Sequence, residues 1–174
     1  TDLLKVGFEL AAEQKTAYRF QHPDGRRVDV MVADHLPSRI APPRISRRPA
    51  FEAPAGAQAI RRRDNYTLRF TSAGVHVGVP DEIGALVAKG AAYTVDTRDR
   101  GRHLSDGATV FASITDASAL DYSRVSPNDR KRVRALHEQL SDATHPAWVG
   151  LDQDERRTGQ QNMTLVCRTM GVGD

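Results

Sequence analysis

Asp29 is the residue of this sequence whose surroundings most suggest chemistry. It lies in segment 26–33, where Val28, Val30 and Val32 alternate with other residues. This alternation predicts a strand with the valines on one face and Asp29 on the other. If that second face lines a cleft, the carboxylate could bind a divalent metal or accept a proton from an attacking hydroxyl. The alternative is an ordinary solvent-facing aspartate on a half-exposed sheet.

A second group of charged residues lies between positions 89 and 106. Lys89 flanks the apolar stripe of a predicted helix, so its stem can pack while its ammonium reaches a cleft and a triphosphate. Arg102 and His103 stand just before another predicted helix, where either could pair with Asp106 or with a substrate phosphate. Arg100 precedes them and adds to the positive charge. The alternative is a surface loop held by ordinary ion pairs.

The basic residues of the chain are mostly arginines. Among 25 Lys and Arg, against 22 Asp and Glu, only Lys5, Lys15, Lys89 and Lys131 are lysines. Guanidinium groups suit phosphate, as in nucleotides or RNA, and the arginines form clusters that could supply such contacts. Codon bias in a GC-rich genome explains the same composition. The clusters are at positions 44/47/48, 61–63, 98/100/102 and 130/132/134.

Several kinds of site and location are excluded or disfavoured. The sequence has no Walker-type glycine loop, no dinucleotide fingerprint and no nucleophile elbow, and its six histidines lack metal-ligand spacing. Because Cys167 is the only cysteine, an internal disulfide and a multi-cysteine zinc site are impossible, which favours a reducing cytoplasm. No apolar run is long enough to span a membrane, so we expect no membrane partner.

The elements that must position these residues follow the order of strands first and helices after. We predict a β-rich part over 1–79, with a turn at 22–25, an irregular connection over 37–54 and a hairpin over 66–79. A helix starts at Pro80, and the region 80–174 is predicted to be helical. This order predicts an α+β fold, with the two parts forming one continuous domain.

The order of these motifs resembles the AbiEii/AbiGii-type nucleotidyltransferases, many of which are toxins of toxin–antitoxin or phage-abortive systems. The resemblance covers most of the chain and implies a partial nucleotidyltransferase-like mixed sheet followed by a C-terminal helical bundle. Its last two motifs are similar to those of actinobacterial members. The matching runs are GRRVDVMVAD at 25–34, VP at 79–80, ALVAKGAA at 85–92, RHLSD at 102–106, DRKR at 129–132 and HPAW at 145–148.

The resemblance implies transfer of a nucleotide from an NTP to a hydroxyl of an RNA such as tRNA, or of a protein, with Mg²⁺ as cofactor. By position, Asp29 would be the third catalytic carboxylate and a metal ligand. Lys89 and Asp106 would line the nucleotide site, with Arg102 and Arg100 as phosphate contacts. A cognate antitoxin is an implied partner.

The sequence departs from the family pattern in one respect. The family has a Gly-Ser turn and an Asp-x-Asp strand before the third carboxylate, and the 29 residues up to Asp29 contain neither. We therefore expect this chain to be weak or inactive as a transferase, with activity in a longer parent protein. One alternative is a non-catalytic domain that binds nucleotide, RNA or a partner through its arginine-rich surface. Another is a structural or partner-binding fragment.

Overall fold

Short strands come first along the chain and long helices follow, which confirms the predicted α+β fold. The structure is a computed structural model, and it describes residues 2–12, 15–37, 39–41, 43–71 and 73–173. The chain divides into two units, 1–57 and 58–174. The boundary lies at 57/58, so the hairpin predicted over 66–79 belongs to the same unit as the helices.

The first unit contains a three-stranded antiparallel sheet. Helix α1 (Asp2–Lys5) precedes strands β1 (Glu9–Leu10), β2 (Arg19–Gln21) and β3 (Arg27–Asp29), which pair in that order. Gly25, in the predicted turn between β2 and β3, has a φ of +92°, a conformation that glycine adopts without steric cost. Phe20 lies opposite Val28 across the sheet and is fully buried, so it anchors this unit.

The prediction of a single strand over 26–33 is wrong. The segment divides into β3 and β4 (Val32–Ala33), and β4 pairs in parallel with β7 (Glu52–Ala53). The chain changes partners here: the Val30 amide donates to Tyr18 and the Val32 amide donates to Phe51. Val30 is exposed, so the valines do not form one buried face.

The connection predicted to be irregular over 37–54 contains further short strands. They are β5 (Arg44–Ile45) and β6 (Arg48–Pro49), which form an antiparallel pair, and β7. Ser46 and Arg47 link β5 to β6 and both have positive φ, as in the tight turns that suit hairpins. These strands are two residues long, too short to show a periodic pattern in the sequence.

The second unit begins within helix α2 (Gly56–Arg61) and continues into the predicted hairpin, which is confirmed. Strands β8 (Arg63–Arg69) and β9 (Gly74–Pro80) are antiparallel, with Tyr66 opposite Val77. Among the strands that the structure describes, each of these two has only the other as a neighbour. Most of their side chains are exposed.

A bundle of helices completes the second unit. Its elements are α3 (Glu82–Val95), α4 (Arg100–Ser113), a 3-10 turn (Ala117–Ala119), α5 (Pro127–Leu140), α6 (Pro146–Val149) and α7 (Gln153–Met170). The side chains of Asp81, Asp99, Ser126 and Asp152 cap the long helices at their N-termini. Phe111, Leu136 and Trp148 are among the fully buried residues of the core. None of the helices in the described part of the chain is both long and apolar enough to cross a membrane.

Candidate functional site

Lys89 and Asp106 meet on neighbouring helices. Lys89 of α3 donates from Nζ to Oδ2 of Asp106 in α4 at 2.7 Å. The two side chains are 35% and 32% exposed, so the pair lies at the edge of the seam between the helices rather than in the core. Only the short loop 96–99 separates α3 from α4, and the helices therefore lie side by side with these residues facing each other. The predicted position of Lys89 on the flank of its apolar stripe is confirmed.

Arg102 adds a second cation beside the same carboxylate. It lies one turn before Asp106 on α4, with its Nε 4.0 Å from Asp106 Oδ2. The Arg102 side chain is 67% exposed, so most of its guanidinium faces solvent. The arrangement places two positive groups around one carboxylate, and an anionic ligand can approach both of them from the solvent side.

Arg100 is directed to a different partner. Its guanidinium lies over the ring of Tyr93, 4.3 Å from the centroid, and its Nε donates to the Tyr93 carbonyl at 3.0 Å. These contacts hold the start of α4 against the end of α3. Arg100 therefore packs at the loop end of the two helices, whereas Lys89 and Asp106 meet further along them.

Asp96 organises the loop, and reasoning from the sequence missed it. Its carboxylate accepts hydrogen bonds from the backbone N–H groups of Arg98 and Asp99, and it lies 3.0 Å from Nε2 of His103. The Arg98 N–H and then His103 lower the pKa of Asp96. The structure thus pairs His103 with Asp96 and not with Asp106. Aspartate side chains in loops often accept a hydrogen bond from the backbone N–H two residues later, as Asp96 does from Arg98. This local preference could have revealed the role of Asp96 from the sequence.

Asp29 lies in the first unit and forms an ion pair with an arginine. Arg19 lies opposite Asp29 across β2 and β3, and donates from Nε to Oδ1 at 2.8 Å and from Nη2 to Oδ2 at 2.7 Å. This two-pronged geometry is the strong form of a guanidinium–carboxylate pair. The hydrogen bond with Asp29 raises the pKa of Arg19. Both side chains are about one-third exposed.

The described residues do not fit the Mg²⁺ that the family resemblance implies. Nowhere in the described ranges do three or more His, Cys, Asp or Glu side chains form a group able to hold a metal ion. The Asp29 carboxylate, moreover, has both oxygens bonded to Arg19. The charge that Mg²⁺ would balance is already balanced by a guanidinium.

Comparisons of the chain with models of protein families, with curated proteins and with solved structures find no match. The family assignment therefore stays a prediction that rests on the motifs of the sequence.

Proposed function

We propose that this chain is a nucleotidyltransferase-like protein that binds the triphosphate of an NTP at Lys89. In this proposal the nucleotide is transferred to a hydroxyl of a tRNA-like RNA or of a protein, and the protein serves as the toxin partner of an antitoxin. The observation that carries the proposal is the contact between Lys89 and Asp106, two residues that the family resemblance places at the nucleotide site.

The proposed roles follow from charge and geometry. A lysine ammonium is a compact charge suited to phosphate oxygens, and it stabilises the charge that grows on the departing pyrophosphate. Asp106 fixes the Lys89 side chain before the ligand arrives, so less conformational freedom is lost on binding. Arg102 lies beside the pair and supplies a second phosphate contact. The resemblance assigns Asp29 to the acceptor hydroxyl, and in this chain Arg19 must release both oxygens of that carboxylate before it can act.

Binding of NTP tests the proposal most directly. Lys89→Ala is expected to weaken the binding of an NTP, measured by calorimetry with Mg²⁺ in the buffer, about tenfold or more, because a charge-assisted contact is lost. The matched control is Lys131→Ala, which removes an exposed lysine from α5 of the same unit. Equal affinities of the Lys89→Ala variant and the wild-type chain for all four NTPs would rule out the proposed site.

Transfer is tested separately with labelled NTPs, Mg²⁺ and total tRNA. Asp106→Asn is expected to weaken NTP binding less than Lys89→Ala does, because the ammonium remains, but to slow label transfer, because Lys89 is no longer held. The wild-type chain is expected to transfer label only weakly, and Asp29→Ala is expected to abolish that transfer. Label transfer that survives in the Asp29→Ala variant would exclude Asp29 from the reaction.

A second candidate function is binding of nucleotide or RNA without transfer. The misfit of the described residues to a metal favours it, because two-metal chemistry needs several carboxylates around the ions. NTP binding that depends on Lys89, together with no label transfer under any of the conditions above, would favour this candidate.

A further inference from the structure

A cavity rich in arginine lies in the second unit. Its volume is about 230 Å³, and its walls come from α2, from the residue after it and from the N-terminal end of α5 with the segment before it. Four arginines line it, at positions 61, 62, 124 and 132, together with Gln58. Neither Lys89 nor Asp106 is among its lining residues.

Two side chains in its wall are buried and incompletely paired. Gln58 is 7% exposed and Arg62 is 4% exposed. Both amide atoms of Gln58, and Nη1 of Arg62, have no hydrogen-bond partner within the described part of the chain. Buried polar groups are almost always paired in folded proteins, since an unsatisfied donor has lost its water without compensation. We infer from these unpaired donors and this unpaired acceptor that the cavity takes a polar ligand.

The rest of Arg62 is held rigidly in place. Its Nε and Nη2 bond the two oxygens of Asp81, at 3.0 and 2.9 Å, and Nη2 also donates to the Asp121 carbonyl at 2.6 Å. The Asp81 side chain in turn caps the N-terminus of α3. Nη1 is the nitrogen of this guanidinium without a partner among the described residues, and the group cannot rotate without breaking three contacts. Such fixed donors reduce the entropy lost on binding.

The charge of the cavity selects an anion. Four guanidinium groups face one acidic lining residue, Asp129, whose carboxylate already accepts from Ser126 in the capping box of α5. The Arg132 guanidinium is 4.0 Å from the same carboxylate. Two of the four arginines are also paired with carboxylates next to the cavity, Arg62 with Asp81 and Arg124 with Asp121. Four guanidinium groups against these two carboxylates and Asp129 leave a surplus of one positive charge. The first turn of α5, a helix of 14 residues, adds its positive dipole end to the same wall.

We propose that this cavity binds the phosphate group of a phosphate ester. Guanidinium forks match phosphate oxygens in shape and charge. The Gln58 side-chain NH₂ can donate to a phosphate oxygen. The volume is below the roughly 300–1,000 Å³ of pockets that enclose a whole drug-sized ligand. A single phosphate fits, with the remainder of a nucleotide or of an RNA strand outside the cavity.

The test measures stabilisation of the full chain by ligands. Inorganic phosphate, adenosine 5′-monophosphate and a short oligoadenylate are each added, and the unfolding temperature is compared with that in sodium chloride of equal ionic strength. At saturation each phosphate compound that binds is expected to raise the unfolding temperature, whereas adenosine does not. A larger effect of the oligoadenylate than of the monophosphate would assign the site to RNA, and an effect of inorganic phosphate alone would assign it to free phosphate. No rise with any of the three would overturn the proposal.

Two variants separate binding from folding. Gln58→Leu keeps the side-chain volume and removes the unpaired amide, so without phosphate it is expected to unfold at the same temperature as the wild type or higher. Its affinity for the phosphate compounds is expected to fall about tenfold. Arg61→Gln, at an exposed position, is expected to weaken binding in the same way. The matched control is Arg63→Gln, two positions away and outside the cavity wall. Phosphate stabilisation that persists unchanged in both Gln58→Leu and Arg61→Gln would contradict the site.

Discussion

Gly90 of α3 lies against the main chain of Arg132 in α5, so closely that a β-carbon at position 90 would overlap the Arg132 carbonyl group. A backbone group cannot turn aside as a side chain can. Gly90→Ala is therefore expected to lower the free energy of unfolding by about 3 kcal/mol, the upper part of the usual range for overpacking. Because Trp148 is buried and is the only tryptophan, its fluorescence reports this change during urea unfolding.

The control for this variant is Gly101→Ala. Gly101 is also helical, but a β-carbon there would meet no atom within 4 Å among the described residues. The substitution should leave stability unchanged or raise it by up to about 1 kcal/mol, because alanine has the higher helix propensity. Similar losses in the two variants would show that helix position, and not contact with Arg132, limits residue 90.

Variants of Arg19 and of Asp29 can show whether the aspartate has a structural role or a chemical role. Arg19→Gln and Asp29→Asn each break the pair, and each should destabilise β2 and β3 by up to about 1 kcal/mol, as for other partly exposed ion pairs. Hydrogen exchange of the strand amides measures this loss. Of the two, only Asp29→Asn should abolish label transfer. If Arg19→Gln abolishes it equally, the aspartate acts through the sheet and not on the acceptor.

Asp121 makes the free energy of unfolding of the second unit depend on pH in the acidic range. The Ser123 hydroxyl, the Ser123 N–H and the Arg124 guanidinium lower the pKa of Asp121 from 3.8 to about 2. A carboxylate with a depressed pKa stabilises the fold above its ordinary pKa, and this contribution is lost as the pH falls from 3.8 through about 2. Asp121→Asn should therefore show a flatter dependence of unfolding free energy on pH in this window.

The carboxyl carbon shift of Asp121, followed by NMR, gives the titration midpoint directly. A midpoint near 3.8 in the folded chain would mean that the contacts with Ser123 and Arg124 do not form in solution. Asp121→Asn also affects the arginine-lined cavity, because Arg124 lines that cavity and its Nε donates to Oδ2 of Asp121 at 3.0 Å.

Cys167 is expected to be inert in the folded protein. Burial raises the pKa of its thiol to about 12, so the reactive thiolate is scarce at pH 8. Its reaction with a thiol reagent should be about a thousandfold slower in the native chain than in urea, where the thiol is exposed. Rapid native labelling at the unfolded rate would show that α7 opens readily around this residue.

Local signals in the sequence predicted much of the second unit. The run 126–129 of Ser, Pro, Asn and Asp predicts a helix cap, and Ser126 does cap α5. The start of α3 is displaced by two residues, because Pro80, predicted to begin the helix, ends β9 and α3 begins at Glu82 after its cap Asp81. The helical spacing of residues 104, 108, 111 and 115 predicts one buried stripe on α4, and Leu104, Ala108 and Phe111 are buried as predicted. The exception is Thr115, because α4 ends at Ser113 and Ile114 is the buried residue there.

Local signals do not predict the short strands of the first unit. They also do not predict every residue of the Lys89–Asp106 site or of the arginine-lined cavity. Strand β4 exists because of a partner 20 residues away, and two-residue strands carry no period. The meeting of Lys89 with Asp106 follows from two adjacent helices, so it could be anticipated. In contrast, the arginine run 61–63 looks uniform in sequence, although only its middle member is buried. Burial of an arginine depends on partners such as Asp81 that lie in other elements.

The ribbon formed by β8 and β9 has a consequence for how fast its amides exchange with water. In an antiparallel pair, successive N–H groups point alternately toward the partner strand and away from it. Because no third strand pairs with the ribbon in the described part of the chain, its outward N–H groups have no strand partner. Deuterium should therefore enter β8 in a sawtooth pattern, fast and slow at alternate residues from Arg63 to Arg69. A partner that adds a strand along the ribbon would erase this pattern on the side it covers.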